Sequence, residues 1–259
     1  MKRRPTKTSL PLAARSRWTP ELLSGVAEGE RRALGPLLAR DEEGAPAEAA
    51  RLALERALEL ARAALAREPP SRPIACARGC SFCCFSKVVV TPPEALRIAA
   101  HLRATLEPEA LASALARIAA VDDRTRGLTR AQRFEAKIPC PLLGDGGSCS
   151  VHDVRPLTCA GWTSLDVGAC ERHFAAEIEG ASPPVYGLGY EITGAILAGL
   201  VLACGDAGLD GALLELTAAL RIALERPTAG ERWRRHLPVF VLARDAESAG
   251  RAADPFDLR

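Results

Sequence analysis

The sequence predicts a mainly α-helical fold whose helices enclose an irregular, cysteine-rich centre. Three observations support this prediction. Apolar residues recur at helical spacing over long stretches on both sides of the middle of the chain. Thr19-Pro20 and Thr91-x-x-Glu94 are typical helix starts. Eight of the nine cysteines lie between Cys76 and Cys170, partly in segments that have no clean period.

The composition indicates a globular protein with a buried core. The 259 residues are 48% hydrophobic and 25% charged but only 4% aromatic, so Ala and Leu must fill most of that core. The net charge of +2 is too small to indicate a nucleic-acid surface, and the few aromatics argue against binding of single strands. We therefore expect no nucleic-acid partner.

Two helices are predicted ahead of the cysteines. Thr19 is the expected N-cap of the first, which should run to about Arg40. The second, residues 47–67, has Ala and Leu at helical spacing and ends at a proline-rich segment. Residues 1–18 are predicted to form a disordered basic tail, because they contain no acidic residue and no apolar run long enough for a signal peptide.

Short helices are predicted between the two halves of the cysteine-rich stretch. Val88–Val90 is apolar but too brief to predict a sheet. Thr91 and Glu94 form a predicted capping box, a second helix should span residues 108–121, and Thr129-x-x-Gln132 should cap a short third one. Cys140-Pro-Leu-Leu143 should enter a glycine-rich turn, and residues 149–184 are predicted to be irregular, because they are rich in turn residues and have no clean period.

The C-terminal part is predicted to be helical again. Residues 192–204 are apolar all round, which indicates a buried helix, and they fall short of the roughly 18 residues of a membrane span. We therefore expect no membrane partner. A further helix is predicted at 210–226, and residues 239–242 are expected to dock on the core.

These elements divide the chain into four predicted segments. They are a tail (1–18), N-terminal helices (19–70), a cysteine-cluster domain (71–184) and C-terminal helices packed on the same core (185–259).

The cysteines form an opening and a closing group. The opening group is Cys76-x3-Cys80-x2-Cys83-Cys84, and the closing group is Cys140, Cys149, Cys159 and Cys170. Thiolate sulfur is a ligand that zinc and iron–sulfur clusters prefer, so the stretch is predicted to bind a metal. Ordinary buried thiols and disulfides are the alternatives. An odd cysteine total and the missing export signal favour reduced thiols and a cytoplasmic location.

Backbone turns decide which of these thiols can share a centre. Neighbouring side chains diverge in helix and strand, so Cys83 and Cys84 can serve one metal only if the backbone turns sharply. Glycines at 144, 146 and 147 would let Cys140 and Cys149 approach each other. Cys204, inside the apolar helix, is predicted to be a structural thiol.

Several motifs in this stretch match a known family. They are Cys80-Ser-Phe-Cys83-Cys84, Val88-Val-Val-Thr91-Pro-Pro-Glu94-Ala95, Cys140-Pro-Leu-Leu143 and Cys149-Ser-Val-His152-Asp-Val-Arg155-Pro156-Leu-Thr-Cys159. With them the stretch resembles the YkgJ-like cysteine-cluster proteins, which are bacterial proteins described as zinc- or iron-chelating. The resemblance implies as ligands Cys76, Cys80, Cys83, Cys84, Cys140, Cys149 and Cys159. Cys170 fits the pattern less firmly and is kept as a ligand candidate.

Other residues of the motifs are candidates for supporting roles. Arg155 could donate to a thiolate and offset the charge of a bound group, or it could form a surface ion pair. His152, where the family often has Tyr, could ligate metal or hydrogen-bond within the motif. His173, close to Cys170, is a weaker ligand candidate. Ala160 stands where the family commonly has arginine, which is the second departure from the family pattern.

Together these observations predict a cytoplasmic metal-binding protein that holds an iron–sulfur cluster or zinc. Eight thiols exceed one tetrahedral zinc site, and their spacing differs from paired Cys-x2-Cys motifs, which favours a cluster. The flagellin lysine N-methylases carry a similar cysteine cluster, so the resemblance also implies an alternative, a cluster-dependent protein-modifying enzyme. A third alternative is a structural or interaction module stapled by zinc. The sequence identifies no substrate and no protein partner.

Overall fold

A computed structural model describes residues 18–175 and 183–248 of the chain. The predicted basic tail, except Trp18, and the chain end after Ser248 lie outside the described residues. Within the described ranges the structure has ten α-helices and one two-stranded sheet. The predicted mainly α-helical fold is confirmed.

The first two helices lie where the sequence predicts them. α1 spans Pro20–Leu38, and the Thr19 side chain accepts a hydrogen bond from the Leu22 backbone N–H at 3.3 Å. α2 spans Ala45–Arg67 and begins slightly earlier than predicted, because a proline is tolerated in the first turn of a helix.

Three helices follow the opening cysteines: α3 (Pro92–Thr105), α4 (Pro108–Thr125) and α5 (Arg130–Glu135). Both predicted capping boxes are present. Thr91 pairs with Glu94 at the start of α3, and Thr129 pairs with Gln132 at the start of α5.

Two short helices occupy the segment that was predicted to be irregular. α6 spans Leu157–Gly161, and α7 spans Val167–Phe174. The prediction of an irregular segment over residues 149–184 was therefore wrong in part. The Asp166 carboxylate accepts a hydrogen bond from the Ala169 N–H at 2.9 Å, an N-cap that gives α7 a start signal in the sequence.

α8, which spans Gly187–Asp206, is the central helix of the fold, and α1, α2 and α6 pack against it. Gly199 permits the close approach of α1, because a Cβ at this position would lie 2.5 Å from the Ala27 carbonyl oxygen. The predicted helix, residues 192–204, was too short. Glu191, interpreted as its boundary, lies inside the first turns of α8.

α8 is longer than the predicted apolar helix, which was expected to be too short to span a membrane. Among residues 18–175 and 183–248, α8 is the single helix that is long and apolar enough to cross a membrane by length and composition. Of its apolar window, 67% is buried inside the fold, which is the pattern of a core helix.

A small sheet replaces the start of the helix predicted at 210–226. β1 (Val89–Val90) pairs antiparallel with β2 (Leu214–Glu215), although Val88–Val90 was predicted to be too brief for a sheet. α9 therefore spans only Leu216–Glu225. The prediction was wrong because a two-residue ladder has no detectable period and its partner strand lies far away in the sequence.

The C-terminal segment packs on the core through two large side chains. Trp233 of α10 (Ala229–Arg234) and Phe240 are 1% and 0% exposed. Residues 239–242 dock only in part, because Leu242 is 75% exposed. One cluster of buried residues extends from Leu34 to Ala243 and joins helices on both sides of the cysteines. The four-segment division of the chain stays a prediction.

Candidate metal centre

The opening and closing cysteine loops touch each other through their backbones. The Cys140 N–H donates a hydrogen bond to the Cys84 carbonyl at 2.7 Å. Gly147, with φ at +70°, lies so close to Gly79 that an added Cβ would be 2.8 Å from the Gly79 carbonyl oxygen. The fold therefore brings together two groups of cysteines that are separated by three helices in the sequence.

A tight turn orients the opening group. Phe82–Phe85 forms a 3-10 helix, which carries Cys83 and Cys84. The Cys80 N–H donates to the Ala77 carbonyl at 3.0 Å, so the backbone also turns just before it. The backbone therefore turns sharply at Cys83 and Cys84, as the two residues need if they are to serve one centre.

The closing loop is folded back on itself by a short bridge. Leu143 pairs with Cys149, and the Leu143 N–H donates to the Cys140 carbonyl at 3.0 Å. The Gly147 N–H donates to the Gly144 carbonyl at 2.9 Å at the tip of the loop. This glycine-rich turn holds Cys140 and Cys149 on one loop, as the spacing predicted.

Two contacts place α6, the helix that carries Cys159. Glu94 caps α3, and its second carboxylate oxygen accepts a hydrogen bond from the Leu157 N–H, at the start of α6, at 2.8 Å. At the other end, Gly161 packs on Thr193 of α8, and an added Cβ would lie 1.9 Å from the Thr193 hydroxyl oxygen. These contacts fix Cys159 beside the closing loop.

Ser164 connects the first and the last cysteine of the stretch. It is 1% exposed, and its backbone N–H donates to the Cys76 sulfur at 3.1 Å. Its side chain lowers the pKa of Cys170, although burial raises that pKa overall. No local pattern in the sequence marks Ser164, because Cys76 lies far from it in the chain and Cys170 lies in an unpredicted helix.

The thiols of both groups lie within one electrostatic neighbourhood. Burial raises the pKa of Cys140 to about 11 and that of Cys159 well above the usual range, and Cys83 and Cys149 raise the pKa of Cys159 further. Burial is also the largest cause of the raised pKa of the thiols at 76, 80, 149 and 170, and the Cys83 thiolate adds to each. Cys83 is therefore the common neighbour of both groups.

Cys204 lies apart from this neighbourhood. It is 0% exposed, and burial raises its pKa to about 12, with Asp210 and Glu94 rather than other cysteines as its charged neighbours. This position agrees with the predicted structural role of Cys204.

The donor set fits a zinc or iron centre by its chemistry, although the thiols are not fully assembled. All nine cysteines are free, and the eight of the two groups lie in loops, short helices and turns. In the described part of the chain no three or more His, Cys, Asp or Glu side chains already surround a common metal position. Metal binding at thiols of this kind contributes to folding, because the unfolded chain lacks a formed site.

A family comparison agrees with this chemistry. Residues 75–173, over a third of the chain, match a family model described as "CxxCxxCC: Putative zinc- or iron-chelating domain". This stretch resembles the CxxCxxCC family. The sequence-based resemblance to a cysteine-cluster family and the expectation of zinc or iron are confirmed. No curated protein and no solved structure matches the chain.

Within the CxxCxxCC stretch, Arg155 lies beside the closing thiols. Its guanidinium Nη1 donates to the His152 carbonyl at 2.9 Å and lies 3.0 Å from the His152 Nε2. The Arg155 charge lowers the pKa of Cys149, although burial raises that pKa overall. The His152 side chain is 65% exposed and contacts Arg155, which is the hydrogen-bonding alternative for this residue.

An aromatic group covers the side of the centre next to α7. The Phe85 and Phe174 rings lie 4.6 Å apart, and His173 stacks on Phe134 at 4.8 Å. The His173 Nδ1 is buried and has no hydrogen-bond partner among residues 18–175 and 183–248. Ala160, the departure from the family pattern, is partly buried and packs against the apolar core.

Proposed function

We propose that the CxxCxxCC stretch holds an iron–sulfur cluster or zinc in a cytoplasmic metal-binding protein. The proposed ligands are drawn from Cys76, Cys80, Cys83, Cys84, Cys140, Cys149, Cys159 and Cys170. The observation that supports this most directly is the contact between the two loops, where the Cys140 N–H bonds the Cys84 carbonyl at 2.7 Å. It places the opening and closing groups next to each other, and their eight cysteines exceed the four ligands of a single tetrahedral site.

The residues of this chain would bind and shield the group. Thiolates would ligate the metal, Arg155 would offset negative charge near Cys149, and the phenylalanines would limit the access of water. A cluster would supply one-electron chemistry, whereas zinc would supply structural rigidity or a Lewis acid. The number of thiols favours the cluster over zinc.

Metal analysis of protein purified without oxygen tests this proposal. We expect bound iron with sulfide and a brown colour, or bound zinc without colour. Serine replacement of Cys80 or Cys83 should remove most of the metal, while Cys204→Ser is the matched control that should retain it. Equal metal loss in all three variants would show that the ligand assignment is wrong. Protein that binds neither metal would contradict the proposal as a whole.

The cytoplasmic location has a separate test. Protein taken rapidly from its native cell should contain mainly free or metal-bound thiols, because the cytosol keeps cysteines reduced. Thiol alkylation before lysis, followed by mass spectrometry, measures this directly. Finding most of the eight cysteines in disulfides would contradict the proposed location.

A further inference from the structure

Arg133 is a buried guanidinium that lacks most of its hydrogen bonds. It lies in α5 and is 3% exposed. Its Nε and Nη1 are buried and have no hydrogen-bond partner among the described residues, and Nη2 makes one long bond of 3.4 Å to the Pro139 carbonyl. A buried arginine has five N–H donors and costs free energy when they stay unpaired. Such a group implies an anionic partner.

The one hydrogen bond of Arg133 places its guanidinium next to a proposed ligand. The Pro139 carbonyl belongs to the peptide bond that leads into Cys140, and the Arg133 charge acts on the Cys140 thiol. Burial lowers the pKa of Arg133, and Glu215 opposes this more strongly than Cys140 does, but the Glu215 carboxylate already accepts the Ala218 N–H at 2.8 Å as the cap of α9. Within the described residues no ion pair joins Glu215 to Arg133, so Glu215 does not supply the anionic partner that the Arg133 guanidinium lacks.

We infer that Arg133 is the counter-charge of the metal-bound Cys140 thiolate, a positioning residue of the centre. This inference rests on the proposed function. A thiol must lose its proton to ligate a metal, so loading creates a fixed negative charge beside the guanidinium. The unpaired donors then gain a partner that the metal-free protein does not offer. Arg155 carries a comparable positive charge beside Cys149, another cysteine of the closing group.

The inference predicts opposite effects in the metal-free and the metal-bound protein. Arg133→Met removes an unpaired buried charge and keeps an apolar side chain of similar length, so the metal-free protein should unfold at the same or a higher temperature. The same variant should bind zinc about 10–100-fold more weakly, the usual loss when a group that supports a metal ligand is removed. Arg133→Lys should recover part of this affinity, because it restores the positive charge.

Competition of Zn²⁺ against a chelator, without oxygen, measures the affinity of each variant. Arg117→Met, on the exposed face of α4, is the matched control and should bind like the natural chain. Unchanged affinity in Arg133→Met, or a lysine variant as weak as the methionine variant, would overturn the inference. So would a lower unfolding temperature of the metal-free Arg133→Met protein, because that would make Arg133 a structural partner of Glu215. If the natural chain itself binds no zinc, the proposed function fails rather than this inference.

Discussion

The helical shell, which consists of α1, α2 and α8, and the cysteine loops, residues 76–84 and 140–170, are held together in different ways. In the shell, α1, α2 and α8 pack apolar faces so closely that Gly199 has no room for a Cβ. The closing loop also buries Leu142 and Val151 in the core, but the two cysteine groups meet through single polar contacts such as the Cys140–Cys84 backbone bond. We therefore expect the shell to fold from its own sequence, and the cysteine loops to need a ligand before their thiols share one arrangement.

Metal removal should produce the largest difference in hydrogen-exchange protection between the helical shell and the cysteine loops. Binding in a site that the unfolded chain lacks contributes directly to folding, on the order of 10 kcal/mol for structural zinc in small domains. Chelation should therefore remove hydrogen-exchange protection from residues 72–175, while α1, α2 and α8 stay protected. Hydrogen exchange followed by mass spectrometry compares the two forms. Unchanged protection in 140–170 would show that the closing cysteines are not ligands.

Among substitutions in the helical shell, Gly199→Ala should give the largest loss of stability. Its Cβ would lie 2.5 Å from both the Ala27 carbonyl oxygen and the Glu30 Cβ, so α1 must move away from α8. We expect a loss of about 3 kcal/mol in the free energy of unfolding, at the upper end for an overpacked core. Urea unfolding of the metal-free protein measures it.

A second glycine in the same helix supplies the control for this substitution. Gly205 has no atom within 4 Å of an added Cβ. Gly205→Ala should therefore leave the stability unchanged or raise it by about 0.5–1 kcal/mol, because alanine favours a helix more than glycine does. Equal losses at both positions would contradict the close packing of α1 on α8.

Glu94→Gln tests the connection between shell and loops. One Glu94 oxygen accepts from the Thr91 N–H at 2.8 Å, and the other accepts from the Leu157 N–H at 2.8 Å. An amide offers one acceptor, so its NH₂ must face a donor. We expect a loss of about 2 kcal/mol and a lower metal content, because α6 would hold Cys159 less firmly. Glu109→Gln, exposed in the first turn of α4, should change neither quantity. Full metal content in Glu94→Gln would show that the hydrogen bond between Glu94 and Leu157 does not support the metal centre.

The two hydrogen bonds of the Glu94 carboxylate show which contacts can be predicted from the sequence and which cannot. Thr91 and Glu94 form a local capping box, and local signals of this kind predicted α3 and α5 correctly. The second hydrogen bond of Glu94 joins residues that are 63 positions apart, and the β1–β2 pairing of Val89 with Glu215 spans twice that distance in the sequence. Neither leaves a periodic pattern in the sequence.

The candidate site likewise contains residues that the sequence predicts and residues that only the structure identifies. Residue type and spacing predicted the cysteines, Arg155 and the metal class, because thiol chemistry depends on which residues are present. Ser164 and Arg133 look like ordinary polar residues in the sequence, and only their burial at 1% and 3% marks them. Such roles depend on tertiary contacts and could not be predicted from local patterns.

The smallest expected effect concerns the salt bridge that ties the exit of the opening loop to the C-terminal segment. Lys87 Nζ lies 2.5 Å from Asp245 Oδ1, with side-chain exposures of 9% and 2%. Burial raises the pKa of Asp245, but the hydrogen bonds from Lys87 and Ser248 outweigh it, so the pKa lies below the usual 3.8. Asp245→Asn should cost about 1 kcal/mol at neutral pH, because Lys87 keeps Glu247 as a second partner at 3.0 Å.

The pH dependence of this cost distinguishes a charge effect from a packing effect. A lowered carboxyl pKa gives stability that is present above the unfolded pKa and is lost as the pH falls through the folded pKa. The difference between the natural chain and Asp245→Asn should therefore stay constant from neutral pH to about pH 5 and close below 3.8. Urea unfolding of the metal-free protein across this range measures it without interference from metal loss. Glu231→Gln, which removes an exposed ion pair with Arg235, should cost close to nothing at any pH. A difference that persists unchanged to pH 2 would mean that the shape of the Asp245 side chain, and not its charge, attaches the loop to the shell.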